Sequence, residues 1–106
     1  PKVLVPPIDR RVKELILEKQ DQYSYTVVEM EVMPDHVDLL LDVDPRIGID
    51  AAVRKIKGYT ADGIRQEYRW MKDRKPSLWT RTRLIASVGS VSLQTVKQSI
   101  EEQIGA

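Results

Sequence analysis

Cysteine is absent from this chain of 106 residues, and histidine occurs once. Without cysteine there can be no disulfide framework, no thiolate nucleophile and no thiolate zinc site. The absence fits a reducing cytoplasm, which is the expected compartment. No apolar run approaches the ~18 residues of a membrane span, and no secretory signal pattern opens the chain, so no membrane association is expected. Internal repeats and low-complexity tracts are also missing. The length leaves room for one domain (1–106) with a single small core, not two. With 42% hydrophobic and 31% charged residues, the composition is that of an ordinary soluble globular domain.

A formal net charge of +1 conceals an uneven distribution. Seven cations (Arg65, Arg69, Lys72, Arg74, Lys75, Arg81 and Arg83) oppose only Glu67 and Asp73, with Tyr68, Trp70 and Trp79 interleaved among them. Guanidinium groups beside flat rings can hold phosphates while bases stack, the chemistry of single-stranded nucleic acid binding. The competing reading is a solvated basic loop whose tryptophans anchor it to the core. Composition leaves both open.

Hydropathy patterning gives a short series of elements. Lys2 to Val5 is a brief apolar run closed by Pro6-Pro7, which breaks it or starts a helix. Ile8, Val12, Leu15 and Ile16 then recur at helical spacing. From Thr26 the pattern alternates, with Val28, Met30 and Val32 facing one way and Glu29 and Glu31 the other. Pro34-Asp35 makes a turn, and Val37 to Val43 is the returning strand of a hairpin. After Asp44-Pro45 and Gly48, a second helix carries Ile49, Ala52, Val53, Ile56, Thr60 and Ile64 on its buried stripe. Gly58 and Gly63 each weaken that helix by up to ~1 kcal/mol relative to alanine, and glycines so placed allow close approach, for instance by DNA or a partner subunit. Arg83 to Val88 reads as a last strand. Ser90 or Ser92 caps a final helix, about 91–104, with Leu93, Val96, Ile100 and Ile104 on its stripe. The order (β)αββαβα predicts an α+β fold: a ferredoxin-like two-layer sandwich, its antiparallel sheet covered on one face by helices, with an added C-terminal helix.

The stretch Met33-Pro34-Asp35-His36-Val37-Asp38-Leu39-Leu40-Leu41 carries the most chemistry. Side chains alternate along a strand, so His36 and Asp38 share one face while Val37, Leu39 and Leu41 share the other. An imidazole beside a carboxylate can hold a divalent cation of the magnesium or manganese type. The plainer reading is an exposed polar face on a half-buried strand.

Three runs carry a resemblance: EVMPDHVDLLLDV, RKIKGYTADGIRQ and SLWTRTRLIASVGSVSLQTVKQSIEEQ. Together, from about Lys2 to Gln103, they resemble the single-tyrosine HUH transposases of small insertion sequences that move as single-stranded DNA, including the REP-associated tyrosine type. The resemblance implies a divalent metal (Mg or Mn) held by two motif histidines and a glutamine from the tail helix, polarising the scissile phosphate. It also implies a tyrosine, one helical turn before that glutamine, that attacks phosphorus to give a 5′-phosphotyrosine and a free 3′-hydroxyl. The implied partners are a single-stranded DNA hairpin and a second copy of the chain, as a homodimer.

Carried over residue by residue, His36 takes the first histidine position, Asp38 the second, Ser99 the tyrosine position and Gln103 the glutamine position. Asp38 offers a hard oxygen suited to magnesium or manganese, on a side chain shorter than histidine. Ser99 is the graver departure, because a serine hydroxyl is far less acidic than a phenol and its oxygen falls short of a phosphate placed for tyrosine. Tyr59 and Tyr68 are the alternative nucleophiles, with nothing in their spacing to favour either. Lys55, Lys57 and Arg65 on the second helix, with Arg74, Arg81 and Arg83 around the last crossover, are the expected phosphate contacts. Family members carry a longer first strand than PKVLVPPI, so that strand is expected to be short or missing here. Either Lys2 to Val5 supplies a minimal strand, the chain is truncated, or a partner fills the gap. Two functions follow: a transposase-family protein for single-stranded DNA transposition, catalytically impaired, or a non-catalytic hairpin-binding repressor or dimer partner. A pseudogene product that still folds is the blandest alternative.

Overall fold

The computed structural model describes residues 3–71 and 78–89. In chain order these form helix α1 (Ile8–Glu18), strands β1 (Tyr25–Met33) and β2 (His36–Val43), helix α2 (Ile49–Glu67), a 3-10 turn (Arg69–Met71), the short helix α3 (Leu78–Arg81) and strand β3 (Arg83–Val88). The sheet order is β1-β2-β3, with β2 central. Among the described residues the helices cover one face and leave the other open, an α+β architecture as expected. The sheet, however, is mixed rather than antiparallel. β1 and β2 form the antiparallel hairpin, whereas β2 and β3 run parallel. The physical reason is the crossover: a strand, a helix that returns antiparallel to it, and a second strand must start from the same end of the sheet.

β2 supplies the middle of the core. Val37, Leu39, Leu41 and Val43 are all buried on the helix side, against Ile8, Val12, Leu15 and Ile16 of α1 and Ala52, Ile56 and Ile64 of α2. Burying each such side chain contributes about 1.5–3 kcal/mol. The α1 stripe is the one that sequence spacing predicts. On α2 the fully buried positions are Ala52, Ile56, Thr60, Ala61 and Ile64, while Ile49 and Val53 sit half-buried at the stripe's margin. Arg11 ties the two helices together, its guanidinium lying 2.8 Å from Glu67, 2.9 Å from Glu14 and 3.5 Å from Glu18.

β1 departs from simple alternation. Its register shifts between Val27 and Glu29, so Val28 is the extra residue of a β-bulge. Before the bulge Tyr25 and Val27 turn toward the helices, and after it Met30 and Val32 do so, opposite Leu39 and Val37. Without the extra residue, a single alternation would drive Glu29 and Glu31 into the core. Val28 therefore does not share a face with Met30 and Val32 as a strict period of two predicts.

No strand forms over Val3 to Val5. Leu4 is buried, and its backbone N–H donates to Pro34 O at 3.0 Å, so this segment plugs the core and braces the hairpin turn without a ladder. Lys2, which opened the expected minimal strand, lies outside the described residues, as does the expected C-terminal helix.

The basic aromatic segment is partly structural. Trp79, in α3, packs against the core and its Nε1–H donates to Thr60 Oγ1 at 2.9 Å, while Trp70 is 55% exposed. The two glycines of α2 also differ. Gly63 faces α1: an added Cβ would lie 2.9 Å from Leu15 Cδ1, so the close approach is made within the chain's own core rather than by DNA or a partner. Around Gly58 nothing lies within 4 Å. Gly58→Ala should accordingly stabilise the fold by about 0.5–1 kcal/mol through helix propensity. Gly63→Ala should lose that gain by pushing the buried Leu15 off its seat. Urea denaturation of the two variants checks this, and equal stabilisation would mean that α1 is seated loosely on α2.

Candidate functional site on the open sheet face

The stripe that buries Val37, Leu39 and Leu41 forces the intervening residues of β2 onto the open face. His36 and Asp38 stand there together as expected, with His36 Nε2 at 3.4 Å from Asp38 Oδ2. The other ring nitrogen is also engaged: Asp35, in the turn between β1 and β2, sets its Oδ1 at 2.7 Å from His36 Nδ1. The imidazole is 26% exposed and thus held between two carboxylates at the rim of the sheet. The hydrogen bond that His36 donates to Asp35, assisted by the charge of Asp38, raises the His36 pKa above its ordinary 6.5, and the same hydrogen bond lowers that of Asp35 below 3.8.

Non-local pairing adds what local spacing cannot. Arg83, the first residue of β3, is in register with His36, the first residue of β2. Ile85 is in register with Asp38 and Ser87 with Leu40, and from the other side Met33 faces His36 and Glu31 faces Asp38. The surface is therefore a cation and an imidazole at one end of the strands, running into an open hollow of about 390 Å³. Glu29, Glu31, Asp38, Leu40, Ile85 and Ser87 line that hollow. Two donors that share one octahedral cation at ~2.1 Å stand ~3.0 Å apart. The 3.4 Å between His36 Nε2 and Asp38 Oδ2 is a small side-chain adjustment from that spacing. Among the described residues no cluster of three His, Cys, Asp or Glu side chains suits an ion. The open face thus offers a ligand pair whose remaining positions are left to water, substrate or other residues.

The remaining sequence candidates fall elsewhere. Lys55, Lys57 and Arg65 belong to α2, on the opposite layer from His36. Lys55 Nζ lies 5.6 Å over the Tyr23 ring, and Arg65 pairs with Asp62 beside Gln66 and Arg69 at a second hollow of about 650 Å³. Arg81 closes α3 just before β3. Arg74, Ser99 and Gln103 lie outside the described residues. The structure thus brings His36, Asp38 and Arg83 together and separates them from the α2 cations. Asp35 was missed by sequence reasoning because it was assigned to a turn; its signal was its place directly before the sole histidine.

The four tyrosines of the chain all belong to the helix side. Tyr59 OH donates to Glu18 Oε1 at 2.6 Å, a bond that raises its pKa, and Tyr25 OH donates to the Ile16 carbonyl in a buried setting that pushes its pKa up to about 12. Tyr23 and Tyr68 pack against the core. A raised pKa makes a phenol a poorer nucleophile at neutral pH. Tyr59 is therefore not disposed to act at His36, and Tyr68 is packed against the core on the helix side.

The Asp35–His36 pair is sensitive to pH in both directions. A raised imidazole pKa contributes stability fully below 6.5 that is lost as pH rises through the folded value, and a depressed carboxylate pKa contributes stability that is lost on acidification. The pair is therefore strongest between about pH 4 and 6.5. With chelator present, the sole histidine should titrate above 6.5 in an NMR experiment, and Asp35→Ala should bring its midpoint down. An unchanged midpoint would show that the hydrogen bond is not formed in solution.

Among the described residues no helix is long and apolar enough to cross a membrane. Comparison with known proteins assigns the scaffold. A family signature described as "Transposase IS200 like" matches residues 1–103. The chain is 31% identical over 103 residues to the ISDra2 transposase TnpA of Deinococcus radiodurans, a match spanning 95% of this chain and 74% of that protein. With a signature that spans nearly its whole length and a relative aligned across the same region, this chain belongs to the IS200-like transposase family, whose members bind DNA and are generally dependent on divalent metal.

Proposed function

We propose that this transposase-family chain handles single-stranded DNA hairpins on its open sheet face and has lost the ability to cut them by the tyrosine route. The observation that carries the reading is the register of β2 and β3, which sets Arg83 beside the His36–Asp38 pair. In this reading His36, Asp38 and Gln103 hold a magnesium or manganese ion. When bound, that ion supplies charge to polarise a phosphodiester. Arg83 binds a non-bridging phosphate oxygen and orients it, with Arg81 and Arg74 extending the basic track along the backbone. Lys55, Lys57 and Arg65 serve a separate stretch of the hairpin, on the helix layer. A second copy of the chain completes a homodimer.

Loss of cutting follows from chemistry at residue 99. Serine there has neither the acidity nor the reach of a phenol, and the sole histidine is committed to the ligand pair. The packing of all four tyrosines on the helix side supports the second reading, a non-catalytic hairpin-binding protein acting as repressor or dimer partner.

A paired cleavage assay tests the loss of cutting. The parent and an Asp38→His, Ser99→Tyr double variant are incubated with manganese and hairpin-bearing single-stranded oligonucleotides from the flanks of the gene. A covalent adduct is expected from the double variant alone. An adduct or nicking by the parent would overturn the assignment of Ser99, and hairpin affinity no better than that for unstructured single strands would overturn hairpin handling. Replacing Arg81 and Arg83 with alanine should weaken binding and flatten the salt dependence by ~1.4 in log K against log salt, the value for two single-strand phosphate contacts. A preserved slope would remove both residues from the interface.

A further inference from the structure

We infer that Asp35 is a positioning residue that fixes the tautomer and orientation of His36, so that Nε2 is the nitrogen presented beside Asp38. This inference rests on the metal-pair reading of His36 above and deepens it. An ionised carboxylate can only accept hydrogen bonds, so the 2.7 Å contact between Asp35 Oδ1 and His36 Nδ1 places a proton on Nδ1. In the neutral ring the lone pair is then on Nε2, the atom that lies 3.4 Å from Asp38 Oδ2. An imidazole at the first position of a strand, with one face in solvent, otherwise turns freely about its last torsion and exchanges its two nitrogens. A hydrogen bond to the far nitrogen of a metal-facing histidine prevents that exchange and raises its basicity as a ligand.

The turn that carries Asp35 is braced from outside the hairpin. Leu4 N–H donates to Pro34 O at 3.0 Å from the N-terminal segment, and Arg83 N–H donates to Asp35 O at 3.3 Å from the start of β3. The second bond opens the β2–β3 ladder, whereas the first reaches the turn from a segment that belongs to no strand. These two bonds hold the Asp35 backbone against the same strand ends that carry His36 and Arg83, so the 62% exposed carboxylate has its base fixed even though its tip is in water.

Because His36 is the only histidine, its ring nitrogens can be read without assignment in a long-range ¹H–¹⁵N spectrum, with chelator and at a pH where the ring is neutral. The parent should show the Nδ1–H tautomer, Asp35→Ala a mixture with the Nε2–H form, and Asp35→Asn, whose side-chain oxygen still accepts, the parent pattern. Manganese affinity, read by electron paramagnetic resonance, should fall about 10–100-fold in Asp35→Ala and recover most of that loss in Asp35→Asn. An Nε2–H tautomer in the parent, or an unchanged tautomer in Asp35→Ala, overturns the inference whatever happens to metal binding. Manganese affinity unchanged by His36→Ala overturns instead the metal-pair reading, so the two failures are distinguishable.

Discussion

A strand buried on one side only has no freedom in which residues it shows to water. β2 is such a strand, with both flanks paired and Val37, Leu39, Leu41 and Val43 packed under two helices. A slip of one residue would exchange that apolar row for His36, Asp38, Leu40 and Asp42 and place two carboxylates and an imidazole in the core, at a cost of several kcal/mol per charged group. The same apolar contacts that hold the domain together therefore hold the candidate site in register. The bulge at Val28 extends this control to β1, where it turns Glu29 and Glu31 outward while keeping Met30 and Val32 inside.

How much of this is legible in the sequence depends on how local each feature is. The α1 stripe, the β2 alternation and the shared face of His36 and Asp38 are properties of neighbouring residues, and the structure bears them out. The mixed sheet is not local: hydropathy along β3 does not say which strand it joins or in which direction. Arg83 could be named as a cation near a crossover, but its seat beside His36 needs the β2–β3 register. Asp35 shows the opposite failure. Its turn chemistry was plain enough to hide a second role in orienting the ring next to it. The tail positions Ser99 and Gln103 lie outside the described residues and rest on resemblance alone.

The two faces of the molecule divide the electrostatic labour. The helix layer neutralises much of its charge internally, through Arg11 with Glu14, Glu18 and Glu67, and Arg65 with Asp62. The open face is acidic along its length, with Glu29, Glu31, Asp38 and Asp42, and carries Arg83 at the His36 end. A polyanion laid along those strands would meet repulsion everywhere except that end. In the proposed reading that acidity would confine a phosphate to the end where Arg83 stands in register with His36.

The parallel pairing of β2 with β3 has a further consequence for folding. The residues that open these strands are far apart in the chain, and bringing them together is the slow, entropy-limited part of forming such a topology. Anything that bridges His36 and Arg83 therefore binds a contact that exists only once the chain has closed. Its binding free energy adds to the stability of the closed state by mass action. A ligand seated across those strand ends would act as a clasp on the sheet, and an unliganded copy would be the one more readily opened.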